Sequence, residues 1–284
     1  NRYGFFPSAS FGWNLDKEAF MADANVLTAL KLRASYGYTG DQEIGDYQNI
    51  SLWQPGRYDG QSGLRPRNIA DPNLTWQKNK SFNIGADYEF LGGVIGGSIE
   101  YFVANRTDLL SNIPIAGTTG FATLTTNGGE VQDKGWEFSL TSKNIWTKKF
   151  RWTTSFNISY QKNTIKKLPV DGELLSAYND IAPTHIMKVG ESVGTFWGVK
   201  YTGVNTENGD AEFDDINKDG VIDFNDAQII GKARPDFYGG LTNNFKYGNL
   251  DFMIACQFST GNDVYNLIRP VYENLGFSND GGLD

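Results

Sequence analysis

Residues 151–161, RWTTSFNISYQ, alternate without a break. Trp152, Thr154, Phe156, Ile158 and Tyr160 fall on one face of an extended chain, and Arg151, Thr153, Ser155, Asn157, Ser159 and Gln161 on the other, because successive side chains of a strand point to opposite sides. One face suits an apolar medium and the other suits water. A run of about ten residues is long for a strand of a globular sheet and matches a tilted strand crossing a bilayer.

The same division recurs along the chain. Residues 2–15 set Phe5, Pro7, Ala9, Phe11, Trp13 and Leu15 against Phe6, Ser8, Ser10, Gly12 and Asn14, although Pro7 removes a ladder donor and favours an edge or a bulge. Residues 16–21, DKEAFM, predict a short helical turn. Residues 30–39 oppose Leu32, Ala34, Tyr36 and Tyr38 to Lys31, Arg33, Ser35 and Gly37; residues 40–73 are polar and read as a long loop. Next comes a hairpin: Phe82, Ile84, Ala86, Tyr88 and Phe90 alternate in its first arm, Ile95, Ile99, Tyr101 and Val103 in its second, and Leu91-Gly92-Gly93 form the tight turn. After a loop over residues 106–128, Trp136, Phe138 and Leu140 mark a strand at 135–142, and a short turn at 144–149 leads into the opening motif. A long excursion over residues 162–234 precedes a last hairpin, with Phe237, Leu241, Phe245 and Tyr247 in one arm and Leu250, Phe252, Ile254, Cys256 and Phe258 in the other.

Short and long connections therefore alternate, as in outer-membrane barrels, where turns on the periplasmic side are short and extracellular loops long. A soluble sandwich has no reason to do this. The segment 195–202, TFWGVKYT, also alternates, but a lone crossing would break the parity, so it belongs inside the excursion. The expected fold is all-β: a partial antiparallel transmembrane β-barrel of about eight consecutive strands, organised as strands and loops over 1–161, a large external region over 162–234, and a hairpin with a further loop over 235–284.

Composition agrees. Glycine (33), phenylalanine (19), tyrosine (14) and tryptophan (7) are abundant, against 3 Met, 1 Cys and 1 His in 284 residues, the usage of a β-protein. Mean hydropathy is −0.42 and no apolar run is long enough for a membrane-spanning helix, which leaves a barrel possible because half of each strand faces a polar lumen. A net charge of −8 argues against a nucleic-acid partner. The single Cys256 allows no intrachain disulfide. The chain opens in mid-pattern on NRYGFFPSASFGW, which reads as a piece of a longer protein.

One stretch carries inorganic chemistry. Residues 215–226, DINKDGVIDFND, have the spacing of a calcium loop, which gathers six to eight oxygen ligands from one short segment. Asp215, Asn217 and Asp219 would offer side-chain oxygens, Gly220 the sharp turn, Val221 its carbonyl, Asp223 a direct or water-mediated contact, and Asp226 the twelfth position, where an EF-hand has glutamate; the aspartate resembles dockerin-type loops. The expected ion is a structural Ca²⁺. The competing reading is an acidic turn that solvates itself.

Other candidates are weaker. His185 is alone, so a catalytic triad or histidine metal site lacks material. Asp87, Glu89, Glu100 and Glu137 alternate with apolar residues and read as lumen-facing rather than as glycosidase acids. Trp53, Tyr58, Tyr178 and Tyr272 are loop aromatics able to stack on sugars. No catalytic set emerges, and the chain reads as a non-enzyme.

NRYGFFPSASFGW, LKLRASYGYTGDQEIGDY, DPNLTWQKNKSFNIGADYEF, NGGEVQDKGWEFSL, VGESVGTFWGVKYTGV and DINKDGVIDFNDAQIIGKARPDFYGGLTNNFKYGNLDF together resemble the C-terminal half of SusC/RagA-type TonB-dependent transporters of the Bacteroidetes outer membrane. The resemblance implies a 22-stranded barrel closed by an N-terminal plug, a SusD-like surface lipoprotein as partner, and import of oligosaccharides or peptides driven by the TonB complex through the plug, in contact with outer-membrane lipid. The alternative is a soluble secreted adhesin or carbohydrate-binding protein with a dockerin-like loop, whose apolar strand faces would pack on one another in water.

Overall fold

The computed structural model describes residues 3–22, 24–41, 47, 49–177 and 183–266. Its strands, in chain order, are β1 (Ser8–Asn14), β2 (Leu27–Asp41), β3 (Trp53–Tyr58), β4 (Gln61–Pro66), β5 (Gln77–Phe90), β6 (Ile95–Thr107), β7 (Leu110–Pro114), β8 (Thr123–Asn127), β9 (Glu130–Trp146) and β10 (Phe150–Lys167). There follow β11 (Leu174–Ala177), β12 (Pro183–Met187), β13 (Thr195–Val199), β14 (Tyr201–Val204), β15 (Ala211–Phe213), β16 (Ala227–Lys232), β17 (Phe237–Tyr247) and β18 (Leu250–Thr260).

Eight of these form one open antiparallel sheet in the order β1-β2-β5-β6-β9-β10-β17-β18, so each wall strand pairs with the wall strand before it in the chain. That is the expected partial barrel. No helix among the described residues is long and apolar enough to cross a membrane. The first strand starts at Ser8, just past Pro7, as the missing ladder donor requires; residues 16–21 lie in two 3-10 turns, Leu15–Lys17 and Ala19–Met21.

Register turns the sequence alternation into continuous stripes. One cross-strand row runs Trp13, Leu32, Ala86, Ile99, Phe138, Ile158, Gly239, Phe258 across all eight strands. The next runs Phe11, Ala34, Ile84, Tyr101, Trp136, Tyr160, Phe237, Thr260. Between them lies a polar row on the other face: Gly12, Arg33, Gly85, Glu100, Glu137, Ser159, Tyr238, Ser259. No described element covers the apolar face. Phe11 stays 64% exposed and Phe252 62%, a pattern suited to lipid and costly in water.

Aromatic rings close the apolar band at both ends. Tyr101 and Trp136 lie 4.9 Å apart and Tyr160 and Phe237 5.1 Å apart in one row. At the other end Trp152 stacks on Phe245 at 5.6 Å, and Phe245 on Phe252 at 6.1 Å. Lys134 and Lys162 pair directly beyond the first row, where long cations reach water past an interfacial belt. Along β10 the two belts are eight residues apart, about 20 Å after allowance for strand tilt.

The three tight turns and the twelve-residue β1–β2 connection fall at the Trp152 end of the sheet and the three long connections at the Tyr160 end. The long ones are more structured than expected. β3–β4 and β7–β8 are hairpins inside the predicted loops at 40–73 and 106–128, and the 162–234 excursion holds a four-stranded sheet, β11-β12-β13-β16, beside the β14–β15 hairpin. The 195–202 segment sits in that excursion, apart from the wall.

Candidate functional site

The polar face is the side on which chemistry is available. Asp87, Glu89, Glu100 and Glu137 all register on it. Arg33 binds Asp87 through Nε at 3.2 Å and pairs with Glu100 through its Nη1, reaching across Gly85. A Cβ there would meet the Ile99 carbonyl at 2.9 Å and the guanidinium carbon at 3.3 Å. Beside this group a hollow of about 310 Å³ is lined by Ser10, Lys31, Arg33, Ser35 and Asn83. It offers cations and hydroxyls to a polar solute. Asp87 and Glu100 are thus tied to one guanidinium in the wall.

At the rim, Asp133 joins the wall to the excursion. Its side chain is 3% exposed. Oδ1 accepts hydrogen bonds from Asn163 Nδ2 at 2.6 Å and Gln161 Nε2 at 3.1 Å, with Arg234 Nη1 at 3.7 Å. Oδ2 has the Arg106 guanidinium at 3.2 Å but no aligned hydrogen bond. Asn163 in turn accepts from the Val193 N–H at 2.8 Å, and Ile165 exchanges backbone bonds with residues 190 and 191. Just above, Val131, Ile165 and Leu168 are buried against Leu109, Leu174, Met187 and Val193. This small core and the Asp133 cluster hold the excursion to the inner wall. Sequence reasoning missed Asp133, because its partners Gln161 and Asn163 lie about thirty residues away.

A cavity of about 620 Å³ opens beside the cluster, where β10 continues past its last pair with β17. Gln161, Asn163, Glu191, Lys232, Arg234 and Asp236 contribute to its lining, and Lys232 Nζ pairs with Asp236. Both charge signs and two amides line one opening.

The 215–226 loop is folded by its own carboxylates. Asp215 accepts from the backbone N–H of Lys218 at 2.6 Å and of Gly220 at 2.9 Å, while Asp219 accepts from Val221 N at 2.8 Å and from Asn217 Nδ2 at 2.9 Å. Lys218 and Gly220 take φ of 59° and 83°, the left-handed turns for which glycine is suited. Asp226 is fully buried and accepts from Ile216, Asn217 and Asp223 N–H; Asp223 caps the short Phe224–Asp226 turn. Among the described residues no group of three or more His, Cys, Asp or Glu side chains stands together. The donor set is nonetheless all oxygen, the chemistry of a hard cation, and each carboxylate oxygen of Asp215 and Asp219 retains a lone pair beyond its N–H partner.

The bond from Asp223 N–H, helped by those from Asn217 and Ile216 and opposed by burial, holds the Asp226 carboxyl below its ordinary pKa of 3.8. A lowered folded pKa adds stability that is present above the unfolded value and lost as pH falls through the folded one. Hydrogen exchange at Ile216, Asn217 and Asp223 is therefore expected to quicken as pH drops below about 4, after correction for intrinsic rates. Asp226→Asn should abolish that pH dependence; a flat profile in the wild type would show that the carboxylate does not close the loop.

His185 bonds Thr184 at 2.8 Å and lies 5.1 Å from the Phe196 ring. Trp53 is 63% exposed on β3, Tyr58 ends that strand, and Cys256 lies in an apolar row opposite Leu241. Tyr178 and Tyr272 fall outside the described residues.

A family model described as TonB dependent receptor-like, beta-barrel, matches residues 1–275. TonB-dependent receptor P3 of Formosa agariphila is 35% identical over 292 residues, covering 94% of this chain and 29% of that protein. TonB-dependent receptor SusC of Bacteroides thetaiotaomicron is 36% identical over 287 residues, covering 93% and 28%. Among solved structures, the RagAB peptide importer in its 'open-open' state superposes with a TM-score of 0.81 at 22% identity, over 92% of this chain and 29% of that one. The chain thus spans less than a third of the length of these relatives.

Proposed function

Since the chain belongs to the TonB-dependent receptor-like β-barrel family, we propose that it supplies about eight wall strands of an outer-membrane nutrient importer. The observation that carries this reading is the apolar face between two aromatic belts, backed by a polar face and with its short connections at one end only. The long connections face the exterior and the tight turns the periplasm. Energy comes from the TonB complex acting on a plug, and a SusD-like lipoprotein covers the external side. The transported solute is an oligosaccharide or peptide, which suits the amides and mixed charges around the 620 Å³ cavity. The wall residues bind and orient this solute without making or breaking bonds.

Fractionation of native cells tests this. An antibody against residues 205–231 is expected to detect an outer-membrane polypeptide much larger than 31.5 kDa, trimmed by protease added outside intact cells. A soluble or secreted band would refute the importer and favour the adhesin. Protection from external protease would reverse the orientation.

The same reading places a structural Ca²⁺ in the 215–226 loop, held by Asp215, Asn217, Asp219, the Val221 carbonyl, Asp223 and Asp226. The ion would draw the loop's carboxylates together and stiffen it. In the full-length protein Asp219→Ala is expected to weaken calorimetric Ca²⁺ binding by about tenfold or more and leave the barrel folded; unchanged binding would remove the ion from this loop.

A further inference from the structure

The outward face carries one polar interruption. Ser142 Oγ donates to Asn144 Oδ1 at 2.6 Å, Asn144 Nδ2 to Thr154 Oγ1 at 2.6 Å, and Thr154 Oγ1 to Asn243 Oδ1 at 2.7 Å. Trp152 Nε1 also donates to Asn243 Oδ1, at 3.0 Å. The chain spans β9, β10 and β17 inside the apolar band, one step from the Trp152–Phe245–Phe252 belt. A register shift at Trp152/Thr153 brings both Asn144 and Ile145 to the outward side, as a bulge does.

Every bond in the chain points the same way. Oδ1 of Asn243 accepts twice, and among the described residues its amide N–H groups have no acceptor. The seam therefore ends in donors without acceptors, beside Leu241, Phe245, Ile254 and the Trp152 ring. Such donors are costly in hydrocarbon, and a partner must bring acceptor oxygens without bringing water. Directly beyond the belt, the tight turn between β9 and β10 presents Lys148 and Lys149, both exposed; neither side chain has a hydrogen bond or ion pair among the described residues. Its backbone is fixed by the Thr147–Phe150 bonds at 2.8 to 2.9 Å.

We propose that this seam and turn form a phospholipid-binding site on the outer wall. The Asn243 and Asn144 amides take the glycerol-ester carbonyls, Lys148 and Lys149 take the phosphate, and the acyl chains lie along Phe156, Leu241 and Leu140. The site rests on the membrane-barrel reading above. It is distinct from the solute path, which lies on the opposite face of the same strands.

The test uses the full-length protein in dodecyl maltoside micelles with added palmitoyl-oleoyl phosphatidylglycerol, read by native mass spectrometry, with heat-modifiable gel mobility measured on the same samples. Wild type is expected to retain phosphatidylglycerol, and Asn243→Leu to retain about fivefold less, the worth of one or two hydrogen bonds. Lys148→Gln with Lys149→Gln should erase any preference for phosphatidylglycerol over phosphatidylethanolamine. Equal retention by wild type and Asn243→Leu, both heat-modifiable, would overturn the lipid site alone. A wild type lacking heat-modifiable mobility would overturn the membrane reading and the lipid site with it.

Discussion

Replacing Asp133 with alanine is expected to free the 162–234 excursion from the wall while leaving the barrel closed in the full-length protein. The carboxylate is almost wholly buried, whereas Arg106 and Arg234 are each 42% exposed. Water therefore screens much of the guanidinium attraction, and the hydrogen bonds from Asn163 and Gln161 carry most of the effect. Their loss leaves the buried Asn163 amide and the half-buried Gln161 amide without this acceptor, and Asn163 also positions Val193 N–H. A local cost of about 2–4 kcal/mol follows. Limited proteolysis should show new cleavage within 168–236 with unaltered heat-modifiable mobility. Asp133→Asn, which keeps an acceptor and drops the charge, should fall between. An unchanged cleavage pattern in the alanine variant would mean that the small Val131–Ile165–Leu168 core suffices by itself.

Gly97→Val is expected to have the opposite signature, damaging the wall itself. Gly97 lies on the apolar face between Tyr88 and Leu140, and Tyr88 crosses over it to donate to the Ser139 carbonyl at 3.1 Å. A Cβ on residue 97 would stand 2.0 Å from that carbonyl and 2.7 Å from the Tyr88 hydroxyl. Backbone and ring must both move, and the β6–β9 ladder must open. The cost is about 3 kcal/mol or more, and it falls on a strand pair at the centre of the sheet. The expected result is a sharp loss of heat-modifiable barrel on refolding into detergent. Gly97→Val with Tyr88→Ala should recover only part, because the carbonyl contact remains. Wild-type refolding yield in the single variant would show that the strands separate more readily than this packing implies.

Much of the wall was legible in the sequence for a definite reason. Alternation records the contrast between lipid and water, so the strands show clearly wherever both media are present. Where strands leave the bilayer, lipid no longer marks one face and the alternation fades. β9 was expected over 135–142 and extends from Glu130 to Trp146; β10 was expected to end at 161 and reaches Lys167. The loop hairpins escape for the same reason, since WQPGRY and QSGLRP lack a clean alternation and carry prolines. Asp133 disappeared with them. Had β10 been extended by two residues, Asn163 would have stood opposite Asp133 and its burial could have been anticipated. The DxNxDG spacing was visible because it is local. The way Asp226 is enclosed by three N–H groups was not, since it depends on the turn that follows.

The overrun of β10 has a mechanical consequence. From Tyr160, the last belt residue, the strand continues seven positions to Lys167 and keeps its pairing with β9 nearly throughout. At about 3.3 Å per residue with a barrel tilt, that raises a stiff parapet roughly 15–20 Å above the lipid surface. Whatever docks on the excursion therefore meets a ledge at that height before it meets the lipid.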